Sequence, residues 1–386
     1  MRLWLALALA AAAVLLAAWI YLPAPTYVLL YLSVGAPEVC QWILAGALVA
    51  AVLAGRDVAS SSLARTVLGM SGVAVALGVT PLARLPATAR RFREAMRGLS
   101  AEPATPARSR PFSMLDLVRG IPAGRAAVTR GIEFARPAGV PLHVDVWRPR
   151  SRGSFPILVQ IYGGAWQRGE PGRDANFANW LASNGWVVFA IDYRHAPAFQ
   201  WPAQSNDVDS ALTWIHAHAG EFDGDTSRVV LMGRSAGAHL AMMAAFRPRR
   251  MPIRGVVSYY GPIDLVDSYR HPPRPDPLNI PDVSEKFIGG PLVGREREYA
   301  EASPLTHATG PLPPTLLVYA TRDNVIEARY GRQLRDRLAA NGTSVAYLEI
   351  PWAGHGFDNV FNGPSSQLAL YYTERFLTWA VTGRPR

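Results

Sequence analysis

Three side chains in this sequence have the types needed for nucleophilic acyl transfer. Ser235 lies in Gly233-Arg234-Ser235-Ala236-Gly237, Asp323 in Thr321-Arg322-Asp323-Asn324, and His355 in Ala353-Gly354-His355-Gly356-Phe357. A serine hydroxyl is a weak nucleophile unless a base within hydrogen-bond reach takes its proton, and the base needs an anion to fix its tautomer. His355 is read as the base and Asp323 as the anion, with Glu327 and Asp358 as nearby carboxylates that could take the same role. Of the eight histidines, His216 and His218 read as helix surface. Acyl transfer also needs donors for an oxyanion. Tyr162-Gly163-Gly164-Ala165-Trp166 offers backbone N–H groups at Gly163 and Gly164, and Ala236 follows the serine directly. Tyr162 and Trp166 are the candidate pocket residues.

The elements that must carry these residues are legible. Val229 to Met232 is a short apolar run that reads as a buried strand, and Ala236 to Phe246 is rich in Ala, Leu and Met and reads as a helix. Strand, sharp turn and helix around G-x-S-x-G make a nucleophile elbow, in which the residues beside the serine must be very small. Further strands are expected at Leu142–Trp147 (with one solvated face), Ile157–Tyr162, Trp186–Tyr193, Arg228–Met232, Val256–Tyr260, Thr315–Tyr319 and Val345–Ile350. Helices are expected at Asn176–Asn184, Val208–His218, Ile326–Ala340 and Ser366–Thr382. Apolar strands separated by helices imply an α/β fold with a mostly parallel sheet covered on both faces. Ligands of such sheets bind at the carboxyl ends of the strands, where each of these motifs falls. The stretch 264–314 is too long for a plain loop and reads as a small cap carrying Tyr269 and Phe287.

The order Ser, Asp, His is that of the α/β-hydrolases rather than of chymotrypsin or subtilisin. With GGAW, Asp192-Tyr193-Arg194, Ala196-Pro197, Asp207, SAGAH and His355-Gly-Phe, residues 112–386 resemble the hormone-sensitive-lipase-like and feruloyl-esterase-like carboxylesterases. They are also similar to prenylcysteine methylesterases and membrane-attached bacterial lipases. The resemblance implies carboxylic ester hydrolysis without a cofactor, and oxyanion donors at Gly163, Gly164 and Ala236. Two positions depart from it. Tyr162 stands where such families usually carry His, and Arg234 stands where Glu or Gln is more usual. The same machinery would serve an amidase, formamidase or peptidase, and a non-catalytic binding protein of the same fold is the alternative of another class. No H-E-x-x-H or clustered His/Asp set points to a metal hydrolase.

The first hundred residues are a different material. Leu3–Leu22 carries no charge over a bilayer's length, Tyr27–Ala54 is a second apolar stretch broken at Gly35-Ala36-Pro37-Glu38, and Val67–Leu82 is a third. Residues 1–83 are therefore expected to be a transmembrane helical anchor of two to three spans, a multi-pass cell-membrane segment. Residues 84–111, with seven arginines, two glutamates and several prolines, read as a basic juxtamembrane linker that places the catalytic domain weakly on the cytoplasmic side. The formal net charge is +10, but Lys286 is the only lysine, so the basic balance reads as coding bias. No nucleic-acid partner is indicated. The expected partners are a small-molecule or lipid ester and membrane lipid. The lone Cys40 excludes a disulfide framework.

Overall fold

The computed structural model describes residues 1–99, 101, 106–247 and 251–383. The first apolar stretch forms α1 (Arg2–Ala18), and the second divides into α2 (Tyr27–Glu38) and α3 (Cys40–Gly55). α4 (Ser62–Gly78) is followed at once by α5 (Thr80–Ala95). Alanines make the seam between α1, α3 and α4: Ala6, Ala10, Ala50, Ala54 and Ala64 form one cluster, and Ala13, Ala17, Ala47 and Ala74 another. Such small side chains let helix backbones approach closely. The larger apolar residues, among them Trp4, Leu15, Trp42, Leu48, Val52 and Val73, face outward.

Among the described residues only the run Ser62–Ala95 is by itself long and apolar enough to cross a membrane. α2 and α3 qualify only as a pair and are bent by 77° at their junction. Of the two to three spans expected, one continuous helix passes that test by itself, and the multi-pass placement expected for residues 1–83 is not supported. α1, at 17 residues, is about 25 Å long, short of the roughly 30 Å hydrocarbon core. The bend follows from Pro37 and Glu38. Glu38 is buried, and its carboxylate accepts from the backbone N–H and hydroxyl of Ser365 at 3.0 and 2.5 Å. α2 is thereby drawn out of the bundle and onto the remainder of the chain.

That remainder is built on one sheet. In chain order it comprises α6 (Met114–Arg119), β1 (Ala127–Ala135), β2 (Leu142–Arg148), β3 (Phe155–Ile161), α7 (Ala175–Ser183), β4 (Val187–Ile191), α8 (Ala203–His218), β5 (Gly224–Arg234), α9 (Ala236–Ala245) and β6 (Ile253–Tyr259). The short helices α10 (Leu265–Arg270), α11 (Ile280–Ile288), α12 (Glu296–Glu301) and α13 (Pro304–His307) follow, then β7 (Thr315–Ala320), α14 (Ala328–Ala340), β8 (Val345–Ile350) and α15 (Pro364–Thr382). The strand order is β1-β2-β4-β3-β5-β6-β7-β8. β2 is antiparallel to both its neighbours, and every pair from β4 through β3 to β8 is parallel. β1 escapes the sequence reading because it is an exposed edge strand, interrupted by Gly131 and two register shifts. β2 is not half-solvated as its alternation suggests: Asp145 points inward and accepts from Gly131 N–H at 2.8 Å. A buried, satisfied carboxylate imitates a solvent-facing one in the sequence pattern.

The arginine-rich stretch is not a free tether. Its first part is α5, which buries Leu85, Ala89 and Phe92 in the same cluster as Tyr372 and Phe376 of α15. Tyr372 donates to Ala89 C=O at 2.6 Å, and its ring meets Phe92 edge-on. Further along, Arg108 is buried, donating to Gln367 at 2.8 Å and pairing with Asp116 at 3.1 Å. Glu102 and Pro103 of that stretch lie outside the described residues.

Candidate active site

Ser235 sits between β5 and α9 with φ 52° and ψ −122°, a backbone conformation that costs energy for any residue but glycine. The two flanking glycines make this turn possible. A Cβ on Gly233 would lie 2.2 Å from the carbonyl of Gly237, and one on Gly237 would lie 2.1 Å from the carbonyl oxygen of Ile161. β3 and the elbow therefore touch backbone to backbone, which brings the glycine loop after β3 against the serine. A Cβ on Gly163 would stand 3.1 Å from Cβ of Ser235. Gly163 and Gly164 border the cavity in front of Ser235, and Ala236 begins α9 immediately behind it. Strain gathers here: Ala165, Trp166, Ser235 and Tyr260 all carry positive φ.

β7 and β8 are adjacent and parallel, so the loops after them are neighbours, joined by Arg322 N–H donating to Ala353 C=O at 3.1 Å. Asp323 leaves one loop and His355 the other. His355 Nε2 is 3.0 Å from Ser235 Oγ, and its Nδ1 is 2.9 Å from Asp323 Oδ2. The second carboxylate oxygen of Asp323 accepts from Val325 and Ile326 N–H, both at 2.8 Å, so the side chain cannot swing away. The competing carboxylates are engaged elsewhere. Glu327 pairs with Arg329 at 2.8 Å, and Asp358 accepts from Arg234 and from the Tyr260 hydroxyl.

Two cavities meet at Ser235. The larger, about 230 Å³, lies in front of Ser235 and His355. The smaller, about 30 Å³, is lined by Trp166, Ala236, Pro262 and residues of the cap such as Leu265, Ile280 and Val283. The stretch 264–314 thus supplies one wall, and Phe287 of α11 stacks on Trp166 at 4.1 Å. The Trp166 indole N–H donates to His239 Nδ1 at 3.2 Å, and His239 Nε2 donates to Ala302 C=O at 2.6 Å. Burial lowers the His239 pKa to about 4, so this ring is neutral and bridges loop, elbow helix and cap.

Tyr162 corrects the sequence reading. It is buried behind the glycine loop and lines neither cavity. Its hydroxyl donates to Asp192 at 2.5 Å and accepts from His195 Nε2 at 2.9 Å, while its ring stacks on Tyr193. Desolvation, with Tyr193 and Asp192 beside it, holds its phenol far above the ordinary range. Arg234 is also buried, its guanidinium 4.8 Å from the ring of Phe177 and paired with Asp358 and Asp174. Burial opposes its charge, but the two carboxylates overcome this and raise its pKa. The cation braces the elbow and, with Asp174, also lines the larger cavity in front of Ser235. Sequence reasoning misses Tyr260, whose ring lies 4.6 Å from His355. Its position just beyond β6, at a carboxyl strand end, was the available signal. It also misses α2, whose apolar run looks like part of a span.

The BD-FAE family profile matches residues 144–338, half of the sequence, from β2 through α14. The chain belongs to the BD-FAE family. Among curated relatives, the probable carboxylic ester hydrolase LipM of Mycobacterium tuberculosis is 32% identical over 251 residues, covering 61% of this chain and 57% of that protein. Esterase LipC of the same organism is 33% identical over 252 residues, covering 60% of this chain and 62% of LipC. The chain thus spans less than two thirds of either relative's length. The crystal structure of esterase LipW from Mycobacterium marinum superposes with a TM-score of 0.58 at 22% identity, over 78% of this chain and 90% of that one. That likeness establishes the α/β-hydrolase fold of this BD-FAE member.

Proposed function

We propose that the chain is a membrane-associated serine carboxylesterase. The observation that carries this reading is the continuous relay from Ser235 Oγ through His355 to Asp323, at 3.0 and 2.9 Å, opening on a cavity. Ser235 Oγ attacks the ester carbonyl carbon while His355 Nε2 takes its proton, and the backbone N–H groups of Gly163, Gly164 and Ala236 hold the developing oxyanion. Collapse breaks the bond to the alcohol, which leaves with the proton returned by His355. Water, deprotonated by His355, then hydrolyses the acyl-enzyme. Asp323 holds the Nδ1–H tautomer throughout. The names of the curated relatives favour ester over amide bonds.

Membrane association rests on surface chemistry. Of the large hydrophobic side chains exposed among the described residues, only Val128 and Val293 lie beyond residue 118. An apolar surface of that extent marks a lipid or protein contact. The test is hydrolysis of p-nitrophenyl esters of graded chain length by the full chain, with flotation on phospholipid vesicles. Ser235→Ala is expected to lower turnover by about 10⁴-fold or more and to leave flotation unchanged. Substantial activity in Ser235→Ala would remove the serine assignment, and a chain that stays at the bottom of the gradient would remove the membrane assignment.

A further inference from the structure

The two cavities at Ser235 differ in more than volume. The smaller is closed by the body and its cap. The larger has its far wall built by Tyr27, Leu30, Tyr31, Val34 and Gly35, all from α2 in the apolar N-terminal segment. This wall is fastened to the loops that carry the reacting groups. Asn324, next to Asp323, donates to Ala24 C=O at 2.9 Å, and Arg322 donates to Tyr21 C=O. The Arg168 guanidinium lies 4.6 Å from the ring of Tyr27, and Glu38 ties the other end of α2 to Ser365. Leu30 and Val34 are buried in the hydrophobic core of the hydrolase body, whereas Val28 and Leu32, which line neither cavity, are 73% and 38% exposed. α2 therefore shows one face to the serine and the other to the same surroundings as the bundle.

The geometry points to α2 as part of the substrate site. The larger cavity takes the long apolar arm of a lipophilic carboxylic ester, the smaller takes its short arm, and the long arm lies along Leu30 and Val34. This rests on the serine esterase reading. It makes the N-terminal segment a determinant of specificity, not only an anchor. Arg168, Arg173, Asp174 and Arg234 line other parts of the same cavity, so the apolar arm is expected on the side of Leu30 and Val34.

Photolabelling of the full chain in detergent micelles tests this. One fluorophosphonate carries a long alkyl arm ending in a diazirine, and a second carries only a short alkyl group. Both are expected to modify Ser235, and photolysis of the first is expected to cross-link residues 27–35, as mapped by mass spectrometry. Cross-links confined to 262–288, or labelling by the short probe alone, would overturn the placement of the long arm while leaving the esterase reading intact. Failure of both probes to label Ser235 would overturn the esterase reading itself. Leu30→Trp narrows the larger cavity. It is expected to lower the ratio of kcat/KM for the decanoate ester to that for the acetate ester by about tenfold or more. An unchanged ratio would overturn the inference, and the cross-link on the unmodified chain decides the matter if that variant does not fold.

Discussion

The bundle of α1, α3 and α4 and the hydrolase body are both rich in apolar residues, yet they use them in opposite senses. The body hides them: β3, β4 and β7 are buried almost throughout, and the sheet carries a core on each face. The bundle turns alanines inward and Trp4, Trp42, Leu48 and Val52 outward. A core of large side chains excludes water by volume, while a seam of small ones permits close helix approach and leaves the apolar bulk on the surface. The difference teaches that apolar composition does not tell which region an element serves. α2 and α5 share the bundle's chain segment but lend side chains to the body's core.

Glycine substitutions sharpen the contrast most. Gly237→Ala puts a methyl group 2.1 Å from a backbone carbonyl oxygen in the body, where nothing can yield. No folded, fluorophosphonate-reactive protein is expected. Gly69→Ala in α4 meets nothing within 4 Å. It is expected to be neutral or to stabilise by up to about 1 kcal/mol through helix propensity. Thermal unfolding of both variants checks this, and a folded, reactive Gly237→Ala would refute the packing of elbow against β3.

The second prediction asks to which region α5 belongs. Phe92 is 2% exposed and packs on Tyr372, so Phe92→Ala should cost about 3–5 kcal/mol of the body's stability. Trp42, on the bundle's outer face, is 59% exposed, and Trp42→Ala should leave stability within about 0.5 kcal/mol. Denaturant midpoints of the full chain decide between them. Equal costs would mean that residues 84–95 are the tether that their arginines suggest.

That tether illustrates what the sequence could and could not disclose. The sheet was legible because its inner strands are continuous apolar runs, and a doubly covered parallel sheet admits little else. Ser235, Asp323 and His355 were legible as candidates because each follows a strand in a short motif, and the structure puts His355 within hydrogen-bond distance of both Ser235 and Asp323. Tyr162 was misplaced because a motif gives a residue's position along the loop but not the side on which its ring falls. The partners that hold it, Asp192 and His195, come from the loop after β4. α2 was misplaced for a deeper reason. Hydropathy reports that Leu30 and Val34 avoid water and does not distinguish lipid from a protein core. Only Pro37 and the buried Glu38 hint that the chain turns there. α5 was masked by its arginines, whose charged ends stay in water on one side while Leu85, Ala89 and Phe92 pack on the other.

Acid should separate the two regions by a smaller margin. The buried side chains of α1, α3 and α4 are apolar apart from Ser71 and the Cys40 thiol, so protonation has little to act on inside the bundle. The body contains His239, fully buried, whose pKa is lowered to about 4 by desolvation, with Arg247 and His307 adding positive charge nearby and the Ala302 carbonyl opposing them. A folded-state pKa below the ordinary 6.5 means that the unfolded chain binds the proton first. The stability that neutral His239 contributes is therefore fully present above about pH 6.5 and falls as pH drops toward 4, by about 3 kcal/mol at 1.36 kcal/mol per unit. Below about 4 both states are protonated and this loss stops growing. Denaturation followed between pH 7 and 4 should show the unmodified chain losing stability relative to His239→Gln by that margin. Because His239 holds Trp166 and the cap through Ala302, the decline should begin as a loss of the smaller cavity. Esters filling that cavity should lose turnover on acidification before helix content falls. A decline of equal slope in His239→Gln would place the acid-sensitive group elsewhere in the body.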